Sequence, residues 1–159
     1  MELEELASNT GLLLKQKGFF LATAESCTGG WAGQVLTAVP GSSEWYERGF
    51  VTYSNVSKRE MLGVNPDTLS GCGAVSIETA KEMALGAIRH SRADVSLAIT
   101  GIAGPGGGSE DKPVGTVCLA WADKGGRVEA EKRLFLGDRE AVRRQSVEAA
   151  LQGLLEFCR

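Results

Sequence analysis

A chain of 159 residues fits one compact domain, since domains average about 150 residues. Its 43% hydrophobic and 23% charged residues are typical of a soluble globular protein, which excludes a disordered chain and a coiled coil. A net charge of −3 without a Lys/Arg block excludes the electrostatic surface of a nucleic-acid-binding protein. The apolar runs are far shorter than the roughly 18 residues that span a bilayer, and the acidic start is unlike a signal peptide, so we expect a cytoplasmic protein.

Glycine and cysteine carry two further indications. The 21 glycines are well above the usual share of roughly 7%, and they imply tight turns and close backbone approaches. The four cysteines lie far apart without a CxxC pair, which argues against a zinc site and against a disulfide framework. We therefore expect reduced thiols and no structural metal.

The start of the chain predicts a helix, a buried strand and a second helix. Apolar residues from Leu3 to Leu14 share one helical face, and Gly18 ends this first helix. Residues 19–25 form a short apolar run suited to a buried strand. The run breaks at 26–30, directly before a new helical pattern, so we expect a strand, a turn and a helix start there.

The middle of the chain predicts two extended segments around a short helix. Residues 49–53 are typical of a second strand. The helix at 55–62 follows directly, with Ser54 or Asn55 as its N-cap. Residues 71–75 are predicted as a brief extended piece.

The second half predicts two capped helices and three strands. The helices begin after Ser76 and Asp138, two residues that favour N-cap positions. The strands lie at 93–100, 114–122 and 127–135, and a hairpin turn joins the last two.

The alternation of strands and helices predicts an α/β fold, a three-layer α/β/α sandwich with a mixed, mostly parallel sheet, formed by residues 1–159 as a single domain. In such sheets, ligands bind beyond the carboxyl ends of the strands. Three polar segments lie at these ends, at 26–30, 53–58 and 100–108. We therefore expect the functional site where these segments meet.

Ser26 is a candidate nucleophile because it lies between a buried strand and a helix start, where backbone N–H groups carry the positive end of the helix dipole. The same position suits a helix-capping serine, and the local sequence leaves both interpretations open. Gly29 and Gly30 each weaken the first helical turn by up to about 1 kcal/mol, which is easier to explain if a ligand approaches the backbone. Cys27 is a rival nucleophile, since helix N-termini lower thiol pKa values.

Lysine is the expected base for such a nucleophile. His90 is the one histidine, and its place at the far end of a helix argues against a histidine-based catalytic triad. Lys58 follows a strand and begins a helix, where the helix dipole lowers its pKa. Tyr53 lies five residues earlier, at the end of the predicted strand. A solvated lysine and a strand-end tyrosine are the alternative interpretations of these two residues.

The glycine-rich segment 100–108 is a candidate binding loop. It is not a Walker loop, because no Gly-Lys-Ser/Thr follows and the next element is a strand. It is either a nest of backbone N–H donors that lines a ligand or a flexible tight loop. Arg139 and Arg143, at the start of the last helix, could reach a phosphate, although arginines on helices are more often solvated.

These segments combine into an ordered set of motifs: AESCTGG at 24–30, GFVTYSN at 49–55 with Lys58, GAVS at 73–76, TGIAGP at 100–105 and KPVGTV at 112–117. In this order the chain closely resembles the CinA C-terminal domain family, the nicotinamide-nucleotide amidases, over nearly its whole length. The resemblance implies a three-layer α/β/α sandwich that hydrolyses the carboxamide of nicotinamide mononucleotide to nicotinate mononucleotide and ammonia, with no metal and no cofactor.

The same resemblance implies roles for individual residues. Ser26 would be the nucleophile, Lys58 its base, and Tyr53 a hydrogen-bonding partner that orients the pair. Apart from the resemblance, the phosphate of such a substrate needs a cation, and Arg139 and Arg143 are our candidates for it. The segments that line the ligand would contribute Thr28, Gly29, Gly30, Thr100, Gly101 and Gly104.

A nucleotide-binding module without chemistry is the second hypothesis, because the family also contains members without amidase activity and a fold alone does not secure a reaction. Both hypotheses imply a small-molecule pyridine nucleotide as ligand, with no nucleic acid and no membrane as partner. Members of the family commonly self-associate, so a homo-oligomer is a further expectation.

Overall fold

Helices and strands alternate along most of the chain. The computed structural model describes residues 2–159, and none of the helices in this range has both the length and the hydrophobicity to cross a bilayer. The helices are α1 (Leu3–Lys17), α2 (Trp31–Thr37), α3 (Asn55–Leu62), α4 (Pro66–Gly71), α5 (Ile77–Arg89) and α6 (Arg139–Phe157), with a 3₁₀ turn at Ser42–Glu44. The strands are β1 (Leu21–Glu25), β2 (Tyr46–Val51), β3 (Val95–Gly101), β4 (Thr116–Asp123) and β5 (Val128–Leu134).

The five strands form one sheet in the order β2-β1-β3-β4-β5. β1 pairs in parallel with both β2 and β3, whereas β4 is antiparallel to both of its neighbours. Helices α1, α2 and α6 cover one face of the sheet, and α3, α4 and α5 cover the other. The predicted three-layer α/β/α sandwich with a mixed sheet is therefore confirmed.

The two faces of the sheet carry side chains of different size. Successive residues of a strand point to opposite faces, and large and small residues alternate along the central strands. In β3, Leu97 and Ile99 point into the core beneath α1 and α6, while Ala98 points towards α5. In β4, Leu119 and Ala120 divide in the same way. Each fully buried leucine or isoleucine contributes about 1.5–3 kcal/mol, so the face beneath α1 and α6 supplies most of the free energy of burial. The small alanines on the other face let α5 approach the sheet closely.

Gly86 in α5 marks a close crossing with α3, the helix that carries Lys58. A Cβ atom at Gly86 would overlap the carbonyl oxygen of Leu62 at the end of α3. We expect Gly86→Ala to lower the free energy of unfolding by about 1–3 kcal/mol, because rigid backbone atoms must move apart. Gly71→Ala is the matched control, since apart from its chain neighbours and its own helix backbone no atom of residues 2–159 lies within 4 Å of a Cβ there. Urea unfolding of both variants checks this, and an equal stability of the two would contradict the close crossing.

Two sequence predictions in the middle of the chain were wrong in detail. The second strand covers Tyr46–Val51 instead of 49–53, because the polar residues at its start belong to an edge strand with one open side. Residues 71–75 are not extended, and a helix that the prediction missed, α4, ends at Gly71. The side chain of Asn65 caps this helix, which has only six residues and therefore too few to show a helical period.

Candidate active site

Three loops meet at the carboxyl ends of β1, β2 and β3, as predicted for a sheet of this kind. The backbone N–H of Ser26 donates to Ile99 of β3, and that of Thr52 donates to Glu25 of β1, so the ends of the three strands are tied together. A cavity of about 290 Å³ opens here, and Ser26 and Lys58 both line it. His90 lies elsewhere, exposed at the end of α5, as the sequence indicates.

Ser26 and Lys58 lie within hydrogen-bond distance inside the protein. Lys58 Nζ is 3.1 Å from Ser26 Oγ, and it donates to the carbonyl oxygen of Thr52 at 2.9 Å. Only 8% of Ser26 and 1% of Lys58 are exposed. A capping box between Ser54 and Ser57 fixes the start of α3, so the lysine of its first turn points inwards.

The environment of Lys58 favours the neutral amine. Burial lowers the pKa of Lys58 below its ordinary value. Within residues 2–159 no carboxylate forms an ion pair with it. A neutral amine that donates one N–H to Thr52 keeps its lone pair free to accept the hydroxyl proton of Ser26. The pair therefore has the geometry of a nucleophile and its base.

Cys27, the rival nucleophile, is unsuited to that role. Burial and, to a smaller extent, the nearby charge of Glu25 raise the pKa of its thiol to about 11. A thiol with this pKa is protonated at neutral pH and is a poor nucleophile. The nearby charges of Arg143 and Lys58 lower this pKa, but burial outweighs them.

Glu25 is a site residue that the sequence prediction missed. Its buried carboxylate accepts hydrogen bonds from the backbone N–H groups of Ala32 and Gly33, at 2.9 and 3.0 Å, and from the hydroxyl of Thr28 at 2.6 Å. The carboxylate therefore neutralises the positive end of α2 and anchors the turn behind Ser26. An acidic residue at the end of an apolar strand, directly before a helix start, is the signal that could have revealed it.

A tight backbone turn at 26–30 follows Ser26, and Thr28 within it is fully buried. Gly29 N–H closes the turn onto the carbonyl oxygen of Ser26 at 3.0 Å, and Gly29 and Gly30 adopt φ angles of 59° and 106° that other residues rarely reach. In the part of the chain that the structure describes, the N–H groups of Cys27 and Thr28 donate to no acceptor. Thr28, Gly29 and Gly30 shape this turn without lining the cavity, and their contact with a ligand stays a prediction.

Tyr53 and Arg139 lie together at the rim of the cavity. Arg139 donates to the hydroxyl oxygen of Tyr53 at 3.0 Å and to the carbonyl oxygen of Gly104 at 2.7 Å. Tyr53 is 63% exposed, and no hydrogen bond of residues 2–159 joins it to Ser26 or Lys58, so its predicted role in orienting that pair stays a prediction. Thr100, Gly101 and Gly104 line the same cavity, and the hydroxyl of Thr100 donates to Ala74.

Arg143 lies one turn further along α6 and faces a different part of the site. Its guanidinium donates to the carbonyl oxygens of Cys27 and Thr28, both at 3.1 Å. It lines a neighbouring hollow with Trp31 and Arg139. Of the two predicted phosphate-binding arginines, the structure thus brings Arg139 to the cavity of Ser26, whereas Arg143 contacts the turn that follows Ser26.

Comparisons with known proteins agree on one family. The model of the CinA C-terminal domain matches residues 3–158. The nicotinamide-nucleotide amidohydrolase PncC of Escherichia coli K12 is 53% identical over 153 residues, which cover 96% of this chain and 93% of that protein. A protein of the same name from Pseudomonas putida is 55% identical, with coverages of 96% and 94%. The crystal structure of a competence/damage inducible protein from Agrobacterium tumefaciens superposes with a TM-score of 0.96 at 46% identity, over 99% of this chain and 96% of the other.

Proposed function

The chain belongs to the CinA C-terminal domain family, and we propose that it hydrolyses nicotinamide mononucleotide to nicotinate mononucleotide and ammonia, with Ser26 as nucleophile and Lys58 as base. Relatives named nicotinamide-nucleotide amidohydrolase, at 53–55% identity over nearly the whole chain, support the reaction. The 3.1 Å distance between Ser26 Oγ and the buried Nζ of Lys58 supports the mechanism.

The first half of the reaction forms an acyl-enzyme. Ser26 Oγ attacks the carboxamide carbon while Lys58 Nζ takes the hydroxyl proton. The oxyanion accepts hydrogen bonds from the N–H groups of Cys27 and Thr28, or from donors in the loop at 101–108, and each donor is worth about 3 kcal/mol in known enzymes. The tetrahedral intermediate then collapses, and the proton on Lys58 moves to the departing nitrogen, which leaves as ammonia.

The second half of the reaction releases the acid. Lys58 is neutral again and removes a proton from a water molecule that attacks the ester carbon. The new tetrahedral intermediate expels Ser26 Oγ, which recovers its proton from Lys58. The products are nicotinate mononucleotide and the free enzyme, and one water molecule is consumed for each ammonia released.

Substrate binding falls to the loops around the cavity. Arg139 is the better placed cation for the 5′-phosphate because it reaches the cavity of Ser26 and is held there by Tyr53 and Gly104. Its Nε–H has no acceptor within residues 2–159 and is free for a phosphate oxygen. Tyr53 then acts through Arg139. Thr100 and Gly101 line the same cavity.

Ammonia release tests this proposal. Purified protein is incubated with nicotinamide mononucleotide, with and without a chelator, and ammonia and nicotinate mononucleotide are quantified. We expect equal amounts of both products at a rate that the chelator does not change. Tight binding of the nucleotide without ammonia would instead identify a binding module, and turnover of other carboxamides alone would identify a different substrate.

A further inference from the structure

Arg143 donates hydrogen bonds to two carbonyl oxygens of the turn that follows Ser26. Nε donates to Cys27 and Nη2 donates to Thr28, each at 3.1 Å, so two neighbouring N–H groups of one planar guanidinium hold two consecutive peptide units. Gly29 has a left-handed backbone, and Nη2 lies close to it, since a Cβ there would be in van der Waals contact with Nη2 at 3.6 Å. The guanidinium of Arg143 is thus part of the hydrogen-bonded structure of this turn.

By fixing two carbonyl groups, Arg143 also fixes the direction of the N–H groups that share their peptides, next to Ser26. In a planar trans peptide the N–H points opposite to the C=O, so an arginine that fixes a carbonyl also fixes the N–H of the next residue. The carbonyl of Thr28 shares its peptide with the N–H of Gly29, which donates to the carbonyl of Ser26. The carbonyl of Cys27 shares its peptide with the N–H of Thr28, which has no acceptor in residues 2–159.

The charge of Arg143 acts on the same peptides. A hydrogen bond from a cation to a carbonyl is stronger than one between neutral groups, and it polarises the peptide so that its N–H becomes a better donor. A more strongly polarised N–H next to the nucleophile would donate a stronger hydrogen bond to the oxyanion that develops in the reaction.

We propose that Arg143 is a positioning residue, which holds the carbonyls of Cys27 and Thr28 and thereby sets the orientation of Ser26 and of the unpaired N–H groups beside it. This inference rests on the proposed amidase reaction and gives Arg143 a task other than phosphate binding. Arg139 alone then serves the phosphate.

Three methionine variants separate these tasks. We expect Arg143→Met to lower kcat about 100-fold, the usual loss when a reacting group is misplaced by about 1 Å, and to leave the affinity for the product nicotinate mononucleotide unchanged. Arg139→Met should weaken binding of that product. Arg144→Met is the matched control, because Arg144 also lies over the Trp31 ring, at 5.2 Å compared with 5.5 Å for Arg143, but makes no hydrogen bond with the turn in the structure of residues 2–159.

The readouts are kcat and KM for nicotinamide mononucleotide and calorimetric binding of the product. Arg143→Lys accompanies the series, since lysine keeps the charge but lacks the planar fork that contacts two carbonyls, and we expect kcat to remain low in this milder variant. A wild-type kcat in Arg143→Met, or a loss of product affinity as large as its loss of kcat/KM, would overturn the positioning role. Absence of ammonia release by the wild-type protein would overturn the proposed function itself, and this inference with it.

Discussion

Ser26→Ala is expected to leave a folded protein that releases ammonia from nicotinamide mononucleotide at least about 10⁴-fold more slowly than the wild type, as when nucleophiles are removed from serine hydrolases. Ser26 supplies the oxygen that attacks the carboxamide, and among residues 2–159 no other hydroxyl lies at hydrogen-bond distance from Lys58 Nζ. In the described part of the chain the hydroxyl of Ser26 makes no hydrogen bond other than the one with Lys58, so its loss should cost little stability. A coupled ammonia assay and a thermal melt measure the two effects.

Two further variants make the result for Ser26 specific. Ser96→Ala removes a buried serine hydroxyl near the start of β3, where it donates to Ala84, and should leave kcat unchanged. Cys27→Ala should retain activity within about tenfold, because a thiol with a pKa of about 11 is not the attacking group at neutral pH. A Ser26→Ala enzyme with full activity, or an inactive Cys27→Ala enzyme that remains folded, would contradict the assignment of the nucleophile.

Lys58→Met is expected to lower kcat by about 10²–10⁴-fold, the usual contribution of a general base. Methionine is unbranched and similar in length, so it fills the space of the buried lysine stem without supplying a proton acceptor. The assay is the same ammonia release, measured across pH. In the wild type, kcat/KM should fall as pH decreases through the lowered pKa of Lys58, because the protonated amine cannot accept the proton of Ser26.

The free energy of unfolding of the wild type should increase relative to that of Lys58→Met as pH rises. Burial lowers the pKa of Lys58 in the folded protein, so between that pKa and the unfolded value of about 10.4 the unfolded chain binds more protons than the folded one. Wild-type stability therefore gains a contribution as pH rises through this window, and Lys58→Met lacks it. Urea unfolding at several pH values should show the difference in unfolding free energy, wild type minus variant, increasing with pH. A difference that stays constant or decreases would contradict the lowered pKa.

Much of the fold follows from local signals in the sequence. Ser76 and Asp138 were predicted as helix caps, and each accepts a backbone hydrogen bond at the start of its helix. Gly18 ends α1 in the left-handed conformation that glycine favours. The missed helix α4 carried its own start signal, a capping Asn65 followed by Pro66, but its length gave no periodic pattern.

The candidate site residues were predicted one by one from the sequence. Which of them meet in space depends on the order of the strands in the sheet. Ser26 and Lys58 are 32 residues apart, and they meet because β1 and β2 are adjacent parallel strands whose following residues lie at one edge of the sheet. Sequence spacing does not give that order. The contacts of Arg143 with Cys27, 116 positions away, are hidden for the same reason.

The charge state of Lys58 tests the central claim most directly. Lysine labelled with ¹³C at Cε gives NMR signals for the seven lysines, and Lys58→Met identifies the signal of Lys58. We expect this signal to titrate well below the ordinary lysine value of about 10.4, with a midpoint equal to the acidic limb of the kcat/KM profile. A Lys58 signal that titrates together with those of the exposed lysines would show a permanently charged amine at neutral pH and would contradict its role as the base for Ser26.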